Sequence, residues 1–175
     1  MSNQKPALCT VQQVANFFLD KGREENVPIT QIKLIKIVYF AYGWMLAIKG
    51  KHLFPDRIEA WKHGPVIPAL YHEFKWYGSY PINQSSREYD CETDKLFVRK
   101  IILNADSEYI INILSDVWEK YKNFPAGRLI DETHKKNSPW HDIYEKNGGN
   151  IPHNTQIEDT PIKIYFLKEL GLENI

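Results

Sequence analysis

Leu34-Ile35-Lys36-Ile37-Val38-Tyr39-Phe40-Ala41 and its continuation to Leu46 decide the fold. Leu34, Ile35, Val38, Tyr39, Tyr42, Met45 and Leu46 recur at helical spacing, and Ile37, Phe40 and Ala41 make the opposite side apolar as well. A helix that is apolar on most faces is buried on most faces. The stretch therefore predicts a central helix, opened by Pro28-Ile29-Thr30 and stopped at Lys49-Gly50, around which the other elements pack.

Working outward, Thr10-Val11-Gln12-Gln13 reads as a capping box, with Val11, Val14, Ala15 and Phe18 on one helical face and a stop at Lys21-Gly22. Beyond the central helix, Arg57 to Trp61 alternates like a short strand, Gly64-Pro65 breaks it, and Pro68 suits the first turn of a third helix that Gly78 ends. Asn83 to Asp94 is polar and predicts a loop, and Leu96 to Leu103 reads as a strand or an extended connection. A strongly amphipathic helix is expected from Asp106 or Ser107 to Tyr121, and a short one from Pro125 through Thr133. Ser138-Pro139 and Thr160-Pro161 each supply a cap followed by proline, predicting helices over Trp140–Lys146 and Ile162–Leu170. The fold class is mainly α (α+β): a single compact helical domain around a buried central helix, with a short β-hairpin-like element. One domain is expected over residues 1–175, its core over about 10–151 and a C-terminal helix over about 161–170.

Composition narrows the function. The chain has 175 residues, with 22 Lys+Arg against 22 Asp+Glu, 43% hydrophobic and 13% aromatic. Those values disfavour disorder and disulfide scaffolds. The balanced charge gives no basic excess for displacing counterions from phosphates, so no nucleic-acid partner is expected. Lys33 with Lys36, and His134-Lys135-Lys136, are the basic runs, each read as a solvated helix face. No run reaches the ~18 apolar residues of a membrane span, and Met1 to Pro6 has no signal-peptide core. Cys9 and Cys91 lack CxxC spacing and read as reduced thiols, which with the other signs predicts a cytoplasmic protein.

Chemistry-bearing motifs are absent from the sequence. There is no HExxH, CxxC, Gly-x-Ser-x-Gly, Walker loop or Gly-x-Gly-x-x-Gly, and neither cysteine has neighbours that lower its pKa. Catalytic, cofactor-binding and metal-ligating residues are all expected to be none. Two clusters stand out instead. Glu59 to Tyr71 places Trp61 and Tyr71 around the Gly64-Pro65 turn, and Thr133 to Trp140 joins two short helices. The first has a structural reading as a hairpin-to-helix junction pinned by aromatics, the second as an interhelix turn whose Thr133 or His134 side chain satisfies helix-end groups, and together they have a functional one, as an aromatic-rimmed partner surface. A third reading makes Trp61, His63, Thr133, His134 and Trp140 a pocket, with histidine for acid–base work and tryptophans to sandwich a flat ligand. Trp61 is expected to be core, locking the turn onto the central helix.

Taken in order, the central run, then Ile58-Glu59-Ala60-Trp61 with Gly64-Pro65-Val66 and Tyr71, then Thr133-His134 with Pro139-Trp140, resembles the Panacea antitoxin domain family of SocA-like antitoxins and phage-associated GepA-like proteins. The resemblance covers roughly Thr10 to Ile151. The family pattern often has Tyr before Gly-Pro-Val, where this chain has His63. Its motif residues here are Tyr39, Ala60, Trp61, Gly64, Pro65, Val66, Tyr71, Thr133, His134, Pro139 and Trp140, with structural or partner-binding roles. The resemblance implies a binding protein and not an enzyme: an antitoxin that neutralises a cognate toxin protein by direct contact, in modules of bacteria and their phages. It also implies an alternative, a proteolytic adaptor that delivers the toxin to an ATP-dependent protease. Motif residues shared across diverse toxins are expected to keep the scaffold, leaving partner choice to segments such as Asn83–Asp94 and Asn150–Ile175.

Overall fold

A computed structural model describes residues 7–102 and 108–173. The central helix α2 (Gln31–Lys49) is capped by the Thr30 side chain and ended by Gly50 in the left-handed conformation. It is covered by α1 (Val11–Glu24), α3 (Pro68–Phe74), α4 (Glu108–Tyr121), α5 (Ala126–Thr133) and α7 (Asp159–Glu169). That enclosure is what an all-round apolar helix requires. Gly43 lets α7 pack tightly on α2, since a Cβ there would run into the Phe166 ring. Phe40 stacks on Tyr121 of α4 at 4.3 Å, and Tyr39 packs on Phe166.

The capping box at Thr10 and Gln13 forms, with both reciprocal hydrogen bonds present. Helix α6 (Pro139–Lys146) begins with proline after Ser138, whose hydroxyl accepts from the His141 amide. Helix α7 starts earlier than expected. Its first residue is Asp159, so Pro161 lies third in the helix, where its missing N–H costs no intrahelical bond. The expected helix start at Asp106 or Ser107, and Leu103, lie outside the described residues.

Among the described residues there are two small antiparallel ladders. β1 (Glu59–Trp61) pairs with β2 (Gly64–Val66), Trp61 opposite Gly64. The tail adds to its other edge, since the Ala60 amide donates to Thr155 at 2.8 Å and the Ile157 amide to Ile58 at 2.8 Å. β3 (Glu88–Asp90) pairs with β4 (Lys95–Phe97). This second ladder places a strand inside the loop expected over Asn83–Asp94, and its β4 takes up the start of the strand or extended connection expected over Leu96–Leu103. Its anchor lies far away in sequence: the buried Asn16 side chain donates to the carbonyls of Ser86 and Arg99 and accepts from the Ser86 amide.

Two expectations about charge and hydropathy are corrected. Lys33 and Lys36 are buried, not solvated: the Lys33 ammonium donates to the Lys122 carbonyl, and Lys36 reaches the first hairpin. Helix α2 is long and apolar enough to cross a membrane, with a mean hydropathy of 1.3, because two lysines do not outweigh the other residues. Within the fold, 83% of that window is buried.

Candidate functional site

The first hairpin turns at Gly64 with φ +99°, a left-handed value that favours glycine. The space is as demanding as the angle. A Cβ at Gly64 would lie 2.5 Å from the Lys36 ammonium and 2.8 Å from the Thr133 hydroxyl. Lys36 enters from α2 and donates to the carbonyls of His63 at 2.6 Å and Pro65 at 3.0 Å, spanning the turn. Burial lowers its pKa to about 7. Lys36, not Trp61, ties the turn to the central helix.

The aromatic side chains around the turn are spent on one another. The Trp140 indole N–H donates to the Trp61 carbonyl at 2.7 Å, and the Trp61 indole donates to Glu59 at 2.7 Å. Glu59 is itself buried and paired with Arg57 at 2.7 Å. His134 stacks on Trp140 at 3.7 Å, and Trp140 stacks on Tyr144 at 5.0 Å. Trp61 is half-buried rather than core, with the Tyr71 ring 4.7 Å away edge-on. Of the three strand residues only this last one is open on a flank, Glu59 and Ala60 being buried.

The remaining motif residues divide between this junction and the interior. Ala60, Pro65 and Val66 are buried within the ladder. Thr133 donates to the Ile130 carbonyl at 2.8 Å and its own carbonyl accepts from Ser138, so the α5–α6 turn satisfies its own helix ends. Pro139 is buried at the start of α6. Tyr39 packs in the α2–α7 core, where burial holds its phenol far above the ordinary tyrosine range.

A cleft of about 720 Å³ opens beside the junction, lined in part by Lys62, His63, His134, Trp140, His141 and Tyr144. The structure thus brings His63, His134 and Trp140 together, with Thr133 against Gly64 and Trp61 outside the cleft lining. Burial, and then the nearby Lys36 charge, lower the His134 pKa. Trp140 already stacks within the protein, so it does not form the open sandwich expected for a flat ligand. Burial also pushes the Cys9 thiol up to about 11. Among the described residues, no three His, Cys, Asp or Glu side chains group to hold a metal.

Sequence reasoning gave Lys36 a solvated face rather than a buried one, and gave Asn16 and Glu59 no role of their own. A lysine amid an apolar helix was the signal for the first. The model of the family described as "Antitoxin SocA-like, Panacea domain" matches residues 34–141, from α2 into α6. A protein named Antitoxin SocA, from Caulobacter vibrioides (strain NA1000 / CB15N), is 32% identical over 165 residues, covering 93% of this chain and 85% of the relative. No solved structure matches the chain.

Proposed function

The chain belongs to the SocA-like Panacea antitoxin family, a family of antitoxins and not of enzymes, and from that premise we propose that it binds a cognate toxin protein and neutralises it by direct contact. The relative's coverage carries this reading, because the likeness extends over 93% of the chain and is not confined to one motif. The junction supports it from the physical side. Lys36, Trp61, Thr133 and Trp140 have their polar groups engaged within the protein, which suits a shared scaffold rather than a reacting centre. Partner contact then falls to surfaces outside the junction. The same reading has the chain fold as one domain and act in the cytoplasm.

The test is co-expression with the product of the neighbouring gene. That product alone is expected to arrest growth, and this protein to restore it, with the two proteins co-purifying. Growth arrest that persists in the presence of this protein overturns the reading. Restoration that disappears in a host lacking its ATP-dependent proteases replaces blocking by proteolytic delivery.

A further inference from the structure

The second hairpin is built as an arm. Its strands are only three residues each, too short for the ladder alone to hold them. What holds them is a polar stripe on α1. Gln13, Asn16, Asp20 and Arg23 follow one another at helical spacing, and all four reach the legs of the hairpin. Asn16 binds Ser86 and Arg99. Gln13 donates to the Lys100 carbonyl at 3.0 Å, Asp20 pairs with the Lys100 ammonium at 2.9 Å, and Arg23 donates to the Ser85 hydroxyl at 2.7 Å. The root is thereby fixed from both sides.

Beyond the root, one face of the arm is apolar and open to water. Tyr89 and Leu96 stand opposite each other in the ladder, so their side chains share a face, and they are 57% and 61% exposed. Val98, just past the end of β4, is also exposed. The other face is covered by the arm's own charges: Arg99 lies over the Phe97 ring at 5.3 Å and pairs with Glu88 at 2.8 Å. The tip carries Asp90, Glu92 and Asp94 against Lys95, a local acidic excess in a chain whose formal net charge is +0.

We propose that this arm, residues 87–98, is the toxin-contacting element, laying Tyr89 and Leu96 into an apolar groove of the toxin that is rimmed by Lys and Arg side chains. The inference rests on the antitoxin reading and adds the surface and the partner's chemistry. An apolar pair on a fixed mount loses little entropy on docking, and an acidic tip steers it toward a basic rim.

The experiment uses the full chain and the purified product of the neighbouring gene. A variant with both Tyr89→Ser and Leu96→Ser is expected to keep the wild-type melting midpoint, weaken the complex at least ~10-fold and lose neutralisation. Glu92→Lys is expected to slow association and flatten its salt dependence. A double variant that binds and neutralises like the wild type overturns the arm while leaving the antitoxin reading intact. So does a loss seen only with Trp76→Ser, which would move the interface to the 84%-exposed indole after α3. A wild-type dimer that Leu96→Ser dissociates without changing toxin affinity assigns the face to a second copy and overturns the proposal. Failure of the wild type to bind or neutralise sinks both readings together.

Discussion

The two hairpins, Glu59–Val66 and Glu88–Phe97, have strands of equal length and the same antiparallel pairing, yet they lie in opposite surroundings. The first is enclosed. Lys36 crosses its turn, Trp140 holds the carbonyl of Trp61, and the 155–157 segment pairs along its outer edge. The second is held at its root by α1, while Tyr89 and Leu96 face water. A short ladder has too few cross-strand pairs to specify its own position, so neighbouring side chains decide whether it becomes part of the core or an arm. In this molecule, the enclosed hairpin is spent on internal contacts and the open one has spare apolar surface.

Removing the aromatic brace of the enclosed hairpin gives the largest expected effect. Trp140→Ala deletes a buried indole, its bond to the Trp61 carbonyl and the stack with His134, and is expected to cost ~3–5 kcal/mol. Hydrogen exchange is expected to accelerate at Glu59–Val66 and stay unchanged at Glu88–Phe97. Equal acceleration in both would show that the hairpins are coupled and break the comparison.

Asn16→Ala tests the opposite case. It leaves the Ser86 amide and two carbonyls without their partner, at a cost of about 1–3 kcal/mol. Limited proteolysis is expected to find new cleavage within residues 87–98 while the rest of the chain stays protected. An uncut arm would show that the ladder stands without its anchor.

The smallest step is a slope with pH, at most about 1.4 kcal/mol for each pH unit. Folded Lys36 has its pKa lowered to about 7 by burial, and the unfolded chain keeps the ordinary value of 10.5. Between these values the unfolded state binds more protons, so stability rises with pH across that window and is lowest below it. The neutral amine still has two N–H donors, enough for the carbonyls of His63 and Pro65. Subtracting the melting profile of Lys36→Met from that of the wild type isolates this contribution. A difference that stays flat from pH 7 to about 10 would show that the ammonium remains charged in the fold.

The helices were legible because caps and periodicity are local. Thr10, Thr30 and Ser138 accept from backbone amides three residues on, and the apolar run of α2 has to be enclosed by something. Local rules also set the limit at α7, where a proline fits anywhere in the first turn and so leaves the start loose by a few residues. The motif residues that meet at the Gly64 turn were visible as two clusters, but not their division of labour. Trp61 seemed the lock of the hairpin by size, and the lock is Lys36, whose charge suggested a surface. Residue type predicts burial only on average, and a lysine whose ammonium finds two carbonyls breaks that average.

By itself, then, the sequence determined the central helix, its capped neighbours, the glycine turn and the family. Each follows from spacing of a few residues or from an ordered set of motifs. Tertiary structure alone decided the second hairpin, because its anchor Asn16 lies 70 residues from Ser86 and no periodicity spans that distance. It also decided which aromatic groups face water. Trp61 and Trp140 share a residue type, and only the packing of α6 against β1 made one half-open and the other buried.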